Sequence, residues 1–193
     1  MAEAIQKFNE QVSQLRKTLK ATRVESRLYT AAEVFVHIFS ETFANDIPGY
    51  VESSEFVQLI TRSNWTYHTA FSIKKTAQIM YLNCVFETQG RLDGVIQTYE
   101  DEPKIILMAE WEWECQSVFG KEKELEKLWN GTSNVKNANA FLITYCADSE
   151  YQEFVRKVVE YWQGKDSTRK RNYPILYLTT AIISLDEKSV VVK

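Results

Sequence analysis

Apolar residues recur along the first third of the chain at helical spacing. In residues 3–20, Ile5, Phe8, Val12, Leu15 and Leu19 form one narrow apolar stripe, which predicts an amphipathic helix. The stretch "VESRLYTAAEVFVHIFSETFAN" predicts a second, with Leu28, Ala32, Phe35, Phe39 and Phe43 on one face and Pro48–Gly49 beyond its end. A short helix is expected from about Ser54 to Arg62. Residues 66–82 carry two signals: Ala70, Ile73, Ala77 and Met80 are helically spaced, whereas "YHTAFSI" also suits an extended chain. The helical reading is preferred.

From Cys84 onward the period shortens to two. The runs "CVFET", "RLDGVIQTY" and "KIILMAEWEWEC", separated by "QG" and "EDEP", predict a three-stranded antiparallel meander. A helix is expected over 121–130, closed by Gly131. The run "AFLITYC" (140–146) predicts a buried strand. Ser149 and Gln152 have capping-box spacing and open a helix with Tyr151, Phe154, Val155, Val158 and Trp162 inward, ending at Gly164. The run "ILYLTTAIISL" (175–185) predicts the last strand of the core. A meander followed by α-β-α-β predicts an α/β fold, a mixed sheet flanked by helices on both faces. No repeat or linker divides residues 1–193, so a single domain is expected: a core over 24–185 and an N-terminal helical extension over 1–23.

Composition refines this picture only slightly. With 193 residues, 45% hydrophobic and 25% charged, the chain can bury a substantial core without disulfides or structural metals. Its net charge of −3 gives no global attraction to nucleic acid or to an anionic membrane surface. Cys84, Cys115 and Cys146 are widely spaced, without the CxxC spacing of a zinc site, and read as core thiols in a reducing compartment. No run approaches the ~20 apolar residues of a membrane span, and no secretory h-region opens the sequence. A cytoplasmic protein without membrane contact is the expectation.

The chemistry concentrates in "MAEWEWECQ" (108–116), directly after the apolar "KIIL". On a strand, Ile106, Met108, Glu110, Glu112 and Glu114 share one face, and Ile105, Leu107, Ala109, Trp111 and Trp113 the other. Where both faces are covered, a carboxylate beside the core must be paired, protonated or bound to a cation. Glu110 and Glu112 are about 7 Å apart along such a strand, within reach of a shared divalent ion. Asp93 lies in an apolar run on the preceding strand, about 4.8 Å away in a meander, and can approach the same face. Gly94 beside it leaves room for a ligand or a bulge. Glu114 reads as a solvated rim residue, the two tryptophans as packing, and His37 and His68 as structural or surface residues.

Asp93, sixteen intervening residues, then Glu110-Trp111-Glu112 resembles the PD-(D/E)xK nuclease superfamily, the restriction endonuclease-like fold. The resemblance extends over about 24–185 in element order, while residue identity rests on Asp93, Glu110 and the position of Glu112. It implies a hydrolase of phosphodiester bonds, an endonuclease holding Mg2+ or Mn2+ on Asp93 and Glu110, with nucleic acid, DNA before RNA, as partner. The family lysine is replaced here by Glu112, which implies one of three things. Glu112 serves as metal ligand or base, a lysine enters from the next helix (Lys121 or Lys123), or catalysis has been lost. A further catalytic glutamate from the first helix of the family core corresponds best to Glu25, with Glu33 as runner-up. Basic residues at Lys17, Lys20, Arg23, Lys74, Lys75 and Arg169–Arg171 could supply attraction for a polyanion. A homodimer is compatible with the spare apolar stripe of residues 3–20. Two alternatives stay open: a nuclease-like fold kept only for binding nucleic acid or protein, and an RNase H-like enzyme. The latter wants an acid on the first strand, where only Glu87 is offered, and another on the following helix or fourth strand.

Overall fold

In the α/β architecture of the chain, a six-stranded mixed sheet carries helices on both faces. The computed structural model describes residues 30–46, 62–88, 92–165, 174–184 and 189–193. The expected helix at 3–20, residues 54–61 of the expected short helix, the "QG" turn and most of the basic loop before the last core strand lie outside these residues; Arg62, expected to end the short helix, begins a longer one. The described elements are α1 (Ala31–Asp46), α2 (Arg62–Ile79), β1 (Asn83–Thr88), β2 (Leu92–Gln97), β3 (Ile105–Glu112), a 3-10 turn (Cys115–Val118), α3 (Glu124–Thr132), β4 (Asn139–Ala147), α4 (Asp148–Gly164), β5 (Leu176–Ser184) and β6 (Ser189–Val192). The strands lie in sequence order. β1, β2 and β3 form the antiparallel meander, β3–β4 and β4–β5 are parallel, and β6 returns antiparallel to β5. Ala31–Lys193 forms one compact unit.

The parallel steps explain the sequence of β4. A strand covered on both faces reads as a continuous apolar run, and here Phe141 and Ile143 face one cluster while Ala140, Leu142 and Cys146 face the other. The first cluster is built by α1 and α2: Ala32, Phe35, Phe39 and Phe43 are all buried, as their helical spacing predicts. Phe39 meets Phe141 edge-on with ring centroids 5.1 Å apart, and stacks on Phe43 at 5.3 Å. Each such ring contributes about 1.5–3 kcal/mol by leaving water. The second cluster is built by α3 and α4 through Leu125, Leu128, Trp129, Phe154, Val158 and Trp162. The ambiguous segment at 66–82 is helical, its residues 66–79 forming most of α2, with Ile73 and Ala77 buried. No helix among the described residues is long and apolar enough to cross a membrane.

Three local expectations need correction. Gly131 does not stop α3, which continues to Thr132. A Cβ there would lie 2.9 Å from the Met108 Sδ and 3.2 Å from a Leu92 methyl, so this glycine lets α3 seat closely on β2 and β3. The Ser149–Gln152 capping box does not form, because α4 begins at Asp148 and its cap position is Ala147, without a side-chain bond. Strict alternation along β3 fails at its start: Ile96 pairs with Leu107 but Gln97 with Ile105, so Ile106 is an extra residue. Ile105 and Ile106 accordingly pack on the opposite clusters from those their parity predicts.

Candidate active site

The meander brings Asp93 and Glu110 together. Gly94 pairs with Ala109 and Val95 with Met108, and the same antiparallel register carried one residue further sets Asp93 opposite Glu110. The Trp111 N–H donates to the Asp93 Oδ2 at 2.9 Å, which fixes that carboxylate against the neighbouring strand. Glu110 is fully buried and Asp93 half-buried.

The third member comes from α3. Lys127 Nζ lies 3.1 Å from the Glu110 Oε2 and 3.5 Å from the Glu124 Oε1. The close seating at Gly131, one turn later, holds this part of α3 against the sheet. The other oxygens of the two glutamates, Glu110 Oε1 and Glu124 Oε2, are buried with no hydrogen-bond partner among the described residues. A buried acceptor left unpaired costs about 1–3 kcal/mol, more when charged.

Electrostatics follow from this crowding. Burial pushes the Glu110 carboxyl up from 4.5 to about 8; the Asp93 charge adds to the rise and Lys127 opposes it. Burial also raises Asp93, against the Trp111 N–H and Lys127. For Lys127, burial works downward, but Glu110, Glu124 and Asp93 together hold the ammonium above its ordinary value. The result is a centre of three carboxyls and one cation, with more acceptor oxygen than the single ammonium satisfies.

The other sequence candidates are placed differently. Glu112 sits at the end of β3 with Oε1 accepting the Trp113 N–H at 2.7 Å and Oε2 3.7 Å from Arg62. It adds a small upward push to Asp93 but makes no contact with Lys127. Glu114 is exposed and accepts the Ser117 hydroxyl at 3.3 Å. Glu25 lies outside the described residues, and Glu33 is in the first turn of α1. Lys121 and Lys123 are exposed and precede α3, so the lysine at the site is neither of them. The missed signal was Glu124 and Lys127, three apart on the border of an apolar helical stripe.

Trp113 stacks on Tyr145 at 4.6 Å and Trp111 meets Phe86 edge-on at 6.1 Å, both in the α1–α2 cluster. The space above Gly94 is filled by those Trp111 and Phe86 rings, where a Cβ would meet the indole at 3.4 Å. His68 is buried, with Nε2 3.3 Å from the Phe43 carbonyl; His37 is exposed. Lys74 and Lys75 lie on α2, across the sheet from Lys127. Glu87 is exposed with a left-handed φ of 51°, and the β1–β2 ladder skips it between Phe86–Gly94 and Thr88–Leu92. That is a strained position directly beside Asp93. Comparison of the chain with protein-family models, with curated proteins and with solved structures gives no match.

Proposed function

We propose that this protein is a metal-dependent nuclease with a restriction endonuclease-like core, hydrolysing phosphodiester bonds of nucleic acid, DNA before RNA. The observation that carries the reading is the Asp93–Glu110 pair across β2 and β3 with Lys127 beside it. The residues fit Mg2+ or Mn2+: the donors are carboxylate oxygens, the hard ligands these ions take, and the buried Glu110 Oε1 and Glu124 Oε2 have no other partner among the described residues. Asp93 and Glu110 would hold the ion as a pair, with water filling the remaining places, since the Asp93, Glu110 and Glu124 oxygens do not gather within 4.8 Å of one another. Such an ion supplies a bound water of lowered pKa and charge neutralisation for the scissile phosphate.

The chain's own groups divide the remaining work. The Trp111 N–H pins one Asp93 oxygen and thereby orients the other. Glu110 is kept dry on all sides, which strengthens its interaction with any cation that enters. Lys127 takes the role of the family lysine whose usual position holds Glu112: an ammonium kept protonated by its neighbours, available to a phosphate oxygen once Glu110 turns to metal. Glu112 and Arg62 stand at the rim, where they act on the approach to the site.

A second reading rests on the same contacts. Because Lys127 pairs with one oxygen each of Glu110 and Glu124, the cluster can also stand as a structural ion network in a fold retained for binding nucleic acid or protein. Incubation with plasmid and single-stranded DNA in Mg2+ or Mn2+ separates the two, with wild type beside Glu110→Ala. Metal-dependent cleavage by wild type alone supports the nuclease; equal cleavage by both, or none by either, overturns it. In the second case, calorimetric absence of metal binding to wild type would favour the binding module.

A further inference from the structure

At the carboxyl ends of β3 and β4, three potential ligands outside the carboxylate centre converge from separate elements. Cys115 opens the 3-10 turn after β3, Cys146 is the next-to-last residue of β4, and Glu150 lies in the first turn of α4. The two Sγ atoms are 2.9 Å apart, the Cys115 Sγ is 4.0 Å from the Glu150 Oε2, and all three ligand atoms lie within 4.8 Å of one another. The thiols are buried, at 3% and 1% exposure, whereas Glu150 is exposed. We propose that Cys115, Cys146 and Glu150 bind a thiophilic divalent cation of the zinc class, tying the β3–α3 connection to β4 and α4.

The donor set carries the choice of ion. Two sulfurs and one carboxylate select zinc over the magnesium that suits Asp93 and Glu110. Zinc at about 2.3 Å from each sulfur sets tetrahedral ligands about 3.8 Å apart, so the thiols part by just under ~1 Å on binding. Glu150, on an exposed helical turn, swings in as third ligand, and water takes the fourth place. Burial raises both thiols, with the Glu150 charge adding to it. Binding therefore breaks two S–H bonds, forms two S–metal bonds and releases two protons to solvent. An intramolecular disulfide would use the same thiols but would leave Glu150 without a role. The tie also bears on the neighbouring centre, because the connection it fixes leads into the helix that carries Lys127.

The test titrates zinc into the metal-stripped full chain, kept reduced by a phosphine, against a chromogenic chelator. One zinc per chain is expected, with at least ~100-fold weaker binding for Cys115→Ser or Cys146→Ser and ~10-fold weaker for Glu150→Gln. Cys84→Ser and Asp93→Asn should bind as wild type does, which keeps this site separate from the carboxylate centre. Should the serine variants fail to fold by circular dichroism, thiolate-to-metal absorption of the cobalt-loaded wild type and its change in Glu150→Gln decide the matter. Equal zinc stoichiometry and affinity in wild type and the cysteine variants would overturn the proposal. So would a reduced chain that takes up no zinc, whether or not its thiols close to a disulfide in peroxide.

Discussion

Replacing Glu110 by Gln separates what this carboxylate costs the fold from what it does for metal. Its carboxyl rises from 4.5 to about 8 through burial first and Asp93 second, against Lys127. A carboxyl whose native pKa lies above its unfolded value holds its proton more tightly in the fold. Its contribution is then complete below about 4.5 and is lost as the pH climbs through about 8. At ~1.4 kcal/mol per pH unit, the full rise corresponds to roughly 5 kcal/mol. Glu110→Gln should therefore come close to wild type near pH 5 and exceed it by about 4 kcal/mol near pH 8.5 without metal. Urea unfolding in EDTA, followed by fluorescence of the five tryptophans, measures both. Mg2+ at ~100-fold its dissociation constant should add about 2.7 kcal/mol to wild type and little to the variant, closing more than half of that gap. A variant less stable than wild type at pH 8.5 in EDTA, together with a wild type indifferent to Mg2+, would refute the reasoning.

Lys127→Met should abolish cleavage, at least ~100-fold in rate (about 2.7 kcal/mol), while metal binding measured by calorimetry persists; unchanged cleavage would remove Lys127 from the site. Glu112→Gln breaks a rim contact with the exposed Arg62. It should shift stability by less than about 1 kcal/mol and reduce cleavage far less than Glu110→Ala in the same plasmid assay. Phe39→Ala empties a fully buried ring site against Phe43 and Phe141. Thermal unfolding should show a loss of about 3–5 kcal/mol.

Much of the fold could be read because its periodicities are strong and unopposed. The Ala32–Phe35–Phe39–Phe43 stripe and the double-sided run of β4 each admit one burial pattern. Asp93 and Glu110 were legible for the same reason: each interrupts an apolar strand, and a meander fixes which strands meet. Lys127 was not, because distance along the chain favoured Lys121 and Lys123. Its approach to Glu110 depends on how closely α3 seats on the sheet, which Gly131 decides through a tertiary contact with Met108. The Ser149–Gln152 pattern misled because the chain turns directly from β4 into α4 at Asp148, one residue before the expected cap. β6 is four residues long and pairs only with β5, too little pattern to read alone. The approach of Cys115 and Cys146 likewise arises from where β3 and β4 end, with thirty residues between them in the chain.

Metal-dependent hydrolysis at the Asp93–Glu110–Lys127 centre is the central proposal. The most direct measurement is the initial rate of plasmid nicking against Mg2+ concentration, for wild type and Asp93→Asn purified side by side. A rate that saturates with Mg2+ in wild type, vanishes in EDTA and is lost in Asp93→Asn is the predicted result. A rate independent of Mg2+, or equal in the two proteins, would contradict it.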